Sequence, residues 1–339
     1  MRSVWITRSG GPEVLAVRET PDPTPGPGQV RLRVRAAGLN FAELMARKGL
    51  YPDAPPLPCV VGYEAAGVID AVGPGVTRLA VGDRALVLTR FGGHAEAVVV
   101  DELQAARLPE GLSFEEGAAV PVNYLTAYHM MFRSFRIASG DRVLIHMAAG
   151  GVGTAALQLC RTVPGVITFG TASASKHDYV RSHGCQHAID YRTADYAAEV
   201  TRLTDGEGVD LILDALGGPD WEKGYRLLRP GGLLVAFGWA NMSTGPTVSW
   251  WHALKQILSL RRYTARTFMD DNKGIAGCNM GHLWSHIPML RGELDRVLEL
   301  IEQGALKPHV DRVFSFEQAA EAHAYVEQGR NVGKVVLVP

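Results

Sequence analysis

The stretch richest in chemistry is MAAGGVGTA, from Met147 to Ala155. Gly150, Gly151, Val152 and Gly153 stand between an apolar run, DRVLI, and a helical run, TAALQLCR. Glycine lets a backbone come close to a phosphate, and the helix after it offers free N–H groups and the positive end of its dipole. A glycine turn inside a strand–turn–helix is the context that dinucleotide binding requires. The choice between NAD and NADP falls to the residues after the next strand. VITFGTASASKH has no Asp or Glu between Val166 and Lys176, where an NAD site uses an acid for the ribose 2′-hydroxyl. Thr171, Ser173 and Ser175 offer hydroxyls and Lys176 a cation. That set suits a 2′-phosphate, and Tyr191 follows the third strand as a packing partner for it. NADP(H) is the expected cofactor.

A second stretch raises a different question. VVGYEAAGVIDAVGPGV, Val60–Val76, is apolar apart from Glu64 and Asp70. A carboxylate in such a run needs a metal, a cation or backbone N–H groups as partner. The four cysteines, Cys59, Cys160, Cys185 and Cys278, make no C-x-x-C pair. Neither a zinc ribbon nor a redox dithiol is indicated, and reduced thiols are expected.

These residues must be positioned by two kinds of sequence. Residues 1–120 read as short strands between turns, with QVRLRVRAAGL alternating at period two and one helix at NFAELMARKG. From Pro121 strands alternate with helices: DRVLI, GVITFGTA, HAIDYR, VDLILDALGG, GGLLVAFG and a sixth at GIAGCNMG. That pattern predicts a doubly wound parallel sheet. The remainder supplies a helix at RGELDRVLELIEQGAL, another at VFSFEQAAEAHAYVEQG and a last strand, GKVVLVP, and is expected to return to the first domain. The predicted division is 1–120 with 284–339, and 121–283. A chain of 339 residues with net charge −1 is no phosphate-backbone binder by charge. It shows no leader-like segment and no run of eighteen apolar residues, so a cytoplasmic protein is expected.

A β-rich first domain, a Rossmann domain with AAGGVG and a C-terminal return resemble the medium-chain dehydrogenase/reductase superfamily. GLNFAELMARKGLYP and VNYLTAY resemble its zinc-independent quinone oxidoreductases. HMAAGGVGTAALQLCR, FGTASASKH, IDYRTADY and NVGKVVLVP resemble the vesicle amine transport protein branch, which is associated with vesicle membranes and lipid binding as well as with a reductase fold. The resemblance implies an α/β Rossmann sheet plus a β-rich GroES-like catalytic domain. In the zinc alcohol dehydrogenases the metal ligands fall where this chain has Tyr63, Asn40 and Val122–Asn123, and the loop of the second, structural zinc has no cysteine here. The resemblance therefore implies no metal, with Glu64 held by arginine or backbone partners.

It further implies an NADPH-dependent reductase of activated C=C or quinone substrates. Asn40 is then a candidate donor to a ribose hydroxyl or to the substrate carbonyl. Tyr51 is a candidate proton donor to an enolate, and Tyr63 faces the same cleft. Asn123 and Thr126 approach the nicotinamide end, and Asn331 lies near the cofactor. Expected partners are a small apolar enone, enoyl or quinone substrate and a second copy of the chain, paired through the sixth Rossmann strand. No nucleic acid is expected. In VSWWHALKQILSLRRYTARTF, Trp250, Trp251, Leu254, Ile257 and Leu258 form a helical stripe. It reads as a core or dimer face, or as a substrate-pocket lid or an interfacial lipid-binding element.

Overall fold

The strand Gln29–Leu39 organises the first part of the molecule. Val30, Leu32 and Val34 alternate into a core shared with Ala65, Ile69, Ala85, Val87, Val98 and Val100, which Ala37 joins after a shift of register beyond Val34. On its other face Arg31 and Arg33 both bond Asp70, with Nε–Oδ distances of 2.7 and 3.0 Å. In the computed structural model residues 1–242, 250–258 and 260–339 are described. They divide into two compact units, Met1–Leu125 with Met280–Pro339, and Thr126–Asn279.

In the first unit Gln29–Leu39 pairs antiparallel with Glu64–Val72 along one edge. Its other edge is shared. Residues 29–33 pair with Ala97–Asp101, and residues 37–39 pair with Lys334–Val338. The register sets Ala37 opposite Ala65 and Leu39 opposite Val335. Asn40, Glu64 and Lys334, one residue beyond each pairing, are thereby gathered at one end of three strands. Arg84–Leu88 and Ala105–Arg107 continue the sheet beyond Glu64–Val72. At the far edge Val310–Ser315 runs parallel to Lys334–Val338, with the helix Ala319–Glu327 between them in sequence. The start of VFSFEQAAEAHAYVEQG is thus strand, where the sequence pattern predicts helix. Phe314 and Phe316 bury in the core with Val335 and Leu337, and that packing keeps residues 313–315 extended ahead of the alanine-rich helix that follows Gln318.

The second unit is a six-stranded sheet in the order His187–Asp190, Ile167–Ala172, Arg142–Ile145, Val209–Asp214, Leu228–Ala236, Gly274–Gly277. Every pair is parallel. In sequence rank that is 3-2-1-4-5-6, the doubly wound order, whose switch point lies beside the first strand. The strands are near-continuous apolar runs because helices cover both faces. Val209–Asp214 is buried at every position. Gly274–Gly277 is the outermost strand on its side of the sheet. All four cysteines are buried and none is in a disulfide.

Candidate active site

The centre of the first unit is a buried polar cluster. Helix Phe41–Arg47 begins at Asn40, whose extended backbone (φ −116°, ψ 162°) places it as N-cap. Glu43, three residues on, accepts the Asn40 backbone N–H through Oε2 at 2.7 Å, the reciprocal half of a capping box. The Asn40 side chain turns inward. Its Nδ2 donates to Glu64 Oε1 at 3.0 Å and to Glu43 Oε1 at 3.3 Å, while its Oδ1 accepts from Lys334 Nζ at 2.6 Å. Lys334 also donates to Glu64 Oε1 in an ion pair with both side chains almost wholly out of solvent. The second oxygen of Glu64 accepts the Val122 N–H at 2.7 Å, in the first turn of helix Pro121–Tyr128, where the helix dipole favours an anion.

Among the described residues Glu64 therefore has a lysine, an amide and a backbone N–H as partners, in place of the expected arginine. The room for this arrangement comes from Gly38. A Cβ there would collide with Glu64 Oε1 and come within 2.6 Å of the Ala118 carbonyl oxygen and 2.7 Å of Lys334 Cε.

Glu43 has no exposure to solvent. Burial pushes its carboxyl from 4.5 up to about 7, against the opposing pull of the Lys334 ammonium. His94 is held in the same region by Nε2 to the Gly38 carbonyl at 3.0 Å. Burial pushes it down to about 4, so it is neutral, and the carbonyl partner requires the proton on Nε2.

Tyr63 precedes Glu64 and is fixed by backbone bonds from Thr89 N to Tyr63 O at 2.8 Å and from Gly93 N to Gly62 O at 3.1 Å. Its ring stands edge-on to Tyr51, with centroids 6.2 Å apart, and tilts against Phe91 at 5.4 Å. The Tyr63 hydroxyl is buried and has no aligned hydrogen-bond partner among the described residues. The Tyr51 hydroxyl is a close neighbour that acts on its ionisation through charge and hydrogen bonding. Burial raises both phenols, so both are O–H donors at neutral pH.

The glycine turn is the working part of the second unit. Strand Arg142–Ile145 ends at His146, and helix Gly151–Arg161 begins after Gly150. The turn is pinned from the neighbouring strand. Ala148 N donates to Thr171 O at 3.0 Å, and Met147 N to Thr171 Oγ1 at 3.3 Å. His146 Nδ1 lies 3.1 Å from the same hydroxyl. A Cβ on Gly153 would meet the carbonyl oxygens of Met147 and Ala148 at 2.6 Å, so only glycine allows this close helix–turn packing. The first N–H groups of the helix have no acceptor within it and suit a pyrophosphate.

The remaining candidates fall on both units. Thr171 is buried with its hydroxyl occupied by the turn. Ser173 is buried, its Oγ 3.3 Å from that of Ser175, and Lys176 lies in the single 3-10 turn after it. Tyr191 is exposed, with the Arg192 guanidinium 5.9 Å from its ring centre. Asn123 and Thr126 are buried on Pro121–Tyr128, Asn123 donating weakly to Ala119 O at 3.4 Å. Asn331 lies in the loop before Lys334 and donates to Gly333 O at 3.1 Å.

Two residues of the first cluster escaped the sequence reading. Glu43 had a signal, since N-x-x-E before an apolar run is a helix-start pattern. Lys334 had only the faint one of a lysine opening an apolar strand.

The comparisons agree with this architecture. Residues 26–125 match the alcohol dehydrogenase GroES-like domain, and residues 183–337 match a domain described as zinc-binding dehydrogenase. The chain belongs to the medium-chain dehydrogenase/reductase superfamily, a family of oxidoreductases. It is 45% identical over 348 aligned positions to the human synaptic vesicle membrane protein VAT-1 homolog, covering 100% of this chain and 86% of that protein. It is 36% identical over 340 positions to a Pseudomonas aeruginosa quinone oxidoreductase, covering 100% and 99%. Among solved structures, Escherichia coli quinone oxidoreductase complexed with NADPH superposes with a TM-score of 0.87 at 27% identity, covering 100% of each chain.

The zinc in the name of the matched domain finds no fitting donors at Asn40, Tyr63 and Val122. Lys334 already supplies a cation to Glu64 and Asn40, and a metal ion beside it would be repelled. A dinucleotide fits the glycine turn.

Proposed function

We propose that the protein is an NADPH-dependent, zinc-independent reductase that delivers hydride to an activated C=C bond or a quinone. The observation that carries this is the donor set of the first unit, where Asn40 and Tyr63 stand at positions of metal ligands, Asn40 tied to the Lys334–Glu64 pair and Tyr63 beside a second protonated tyrosine, Tyr51. Alkoxide formation from an alcohol draws on a Lewis acid. An enone or quinone needs only hydrogen-bond donors for the oxygen that gains charge.

NADPH, when bound, supplies the hydride. For an enone, the hydride's electron pair forms the new C–H bond at the β-carbon, and the C=C pair moves toward the carbonyl oxygen. Tyr51 is proposed to give the proton that completes the α-carbon, and solvent restores that proton. Gly150, Gly151, Val152 and Gly153 hold the pyrophosphate. Ser173 and Lys176 hold the 2′-phosphate, with Thr171 shaping the turn and Tyr191 beside it. Asn123, Thr126 and Asn331 are proposed to border the nicotinamide half. The quinone oxidoreductases among the relatives and the NADPH in one solved neighbour support this reading. We further propose a homodimer, because the outermost strand Gly274–Gly277 presents an edge that sheets usually pair or cover.

The test is NADPH oxidation against quinones, enones and enoyl thioesters. Activity with at least one class is expected, and none with any class would refute the reading. Lys176→Ala should weaken NADPH but not NADH, by about 1.5–3 kcal/mol for a charged hydrogen bond. Equal loss would remove the 2′-phosphate role. Tyr51→Phe, assayed on an enone in deuterated solvent, should lower turnover by ~10²-fold or more. An unchanged rate and unchanged stereochemistry of deuterium uptake would exclude Tyr51 as proton donor.

A second reading has its own observation. On helix Trp250–Leu258, Trp251 and Leu258 are 78% and 75% exposed, with Lys255 and Arg261 exposed nearby. The side chains of Trp250 and Ile257 lie outside the described residues. Exposed apolar and basic residues together suit an anionic lipid surface. No helix among the described residues is long and apolar enough to cross a membrane. Co-sedimentation with phosphatidylserine vesicles, lost in Trp251→Ser, would support this reading, and an absence of binding would remove it.

A further inference from the structure

Asn40 could serve a bound molecule in two opposite ways, through its N–H pair or through a lone pair on its carbonyl oxygen. The structure decides between them. Nδ2 faces two carboxylates, Glu64 and Glu43, and Oδ1 faces the Lys334 ammonium. The flipped amide would turn a carbonyl oxygen toward both carboxylates and an NH2 group toward the ammonium, so repulsion at each end forbids it. Both amide hydrogens are therefore committed. Lys334 takes one lone pair of Oδ1, and the other, on the side of the Glu43 backbone N–H but without a cap hydrogen bond to it, is all that Asn40 can still offer. This removes Asn40 as a hydrogen-bond donor to a developing oxyanion. The hydroxyls of Tyr51 and Tyr63 are protonated, and that of Tyr63 is buried without an aligned partner among the described residues.

Resting on the reductase reading above, we infer that Lys334 is a positioning residue that fixes Asn40 as an acceptor for a hydroxyl group of a bound reactant, leaving Tyr63 to donate to the oxygen that gains charge while Tyr51 supplies the α-carbon proton. Lys334 can do this because it is a built-in cation. Its aliphatic stem fits against Gly38, and its ammonium bonds Glu64 and Asn40 together. The charged and titratable groups around Glu43 are Lys334 and Glu64 across the Asn40 amide, with Tyr51 and Tyr63 nearby. His94, neutral, lies beside Lys334. The Lys334 charge holds the Glu43 carboxyl below the value burial alone would give it. The position of that titration is thus a reporter for Lys334 that does not depend on any substrate.

The test compares Lys334→Met, Lys334→Arg and Tyr63→Phe with the wild-type full chain. NADPH affinity is read by fluorescence quenching, kcat and KM on the best acceptor, and the Glu43 titration by NMR of carboxyl-labelled glutamate. The Glu43 signal is assigned by its loss in Glu43→Gln. Lys334→Met should weaken reactant binding by ~10-fold and move the Glu43 midpoint upward, and Lys334→Arg should restore most of both. Tyr63→Phe should lower kcat by ~10-fold and leave NADPH affinity in place.

If Lys334→Met folds with wild-type binding and an unmoved Glu43 midpoint, the positioning role is wrong. If Tyr63→Phe keeps full kcat, the donor assignment is wrong. Should Lys334→Met fail to fold, the doubly neutral Glu64→Gln/Lys334→Met chain takes its place, with the same weakened binding expected and unweakened binding overturning the role. If the wild type reduces no acceptor, the reductase reading fails by itself, and the NMR titration and NADPH affinity still decide the role of Lys334.

Discussion

The two polar centres of this chain are built in opposite ways. The glycine turn of the second unit comes from one continuous stretch, strand Arg142–Ile145, its turn and helix Gly151–Arg161, pinned by Thr171 from the adjoining strand. The buried cluster of the first unit joins residues 24, 58 and 270 positions apart, through Asn40–Glu64, Val122–Glu64 and Lys334–Glu64. The first is a backbone device, in which glycine and a helix end present N–H groups. The second is a side-chain device, in which charges out of water satisfy one another. A backbone device tolerates changes around it and fails when a Cβ appears. A charge device tolerates changes of shape poorly and fails when one partner goes.

The sharpest way to break this contrast is Glu64→Leu. It leaves Lys334 buried without its carboxylate, and removing one partner of a buried pair costs about 3–5 kcal/mol. Adding Lys334→Met should return much of the loss, because both charges are then gone. Urea denaturation of the single and double variants checks this. A double variant no more stable than Glu64→Leu would show that Lys334 gains nothing from Glu64.

The next effect is a pH dependence. Glu43 holds its proton more tightly folded, at about 7, than its ordinary 4.5. Its contribution to stability is therefore full below about 4.5 and is lost as pH rises toward about 7, a change on the order of 3 kcal/mol. His94, His146 and His323 act in the opposite sense. Burial lowers all three below 6.5, so they reduce stability as pH falls below that value. The Glu43 part is isolated as the stability of wild type minus that of Glu43→Gln, which should fall between pH 4.5 and 7 and stay level above. A difference independent of pH would contradict the burial of that carboxyl.

A smaller effect is expected at the turn. Gly153→Val sets a side chain against two backbone carbonyls, an overpacking that costs about 1–3 kcal/mol. NADPH affinity, measured by calorimetry, should fall by more than ~10-fold, since the helix start must move. Unaltered affinity would mean that the pyrophosphate does not use this turn. The smallest effect is at Asp70, whose two arginine partners are partly exposed. Asp70→Asn should cost no more than ~1 kcal/mol by thermal denaturation. A loss as large as that of Glu64→Leu would erase the distinction between a buried charge centre and an ordinary sheet-face ion pair.

Much of this molecule was determined by local sequence. The alternation of QVRLRVRAAGL requires a half-buried strand, and Gln29–Leu39 is one. Apolar runs separated by helical runs require a parallel sheet, and MAAGGVGTA requires a tight turn into a helix, because period and glycine content act over a few residues. The need of Glu64 for a partner was legible too, since a carboxylate among alanines and glycines cannot be left alone. Which partner it has was decided only by the tertiary structure. Lys334 reaches Glu64 because Gln29–Leu39 pairs with Glu64–Val72 on one edge and with Lys334–Val338 on the other, and strand register couples residues that no local pattern relates. The same pairing settled which way the amide of Asn40 faces, a choice of polarity that a residue name does not contain and that only surrounding charges can impose.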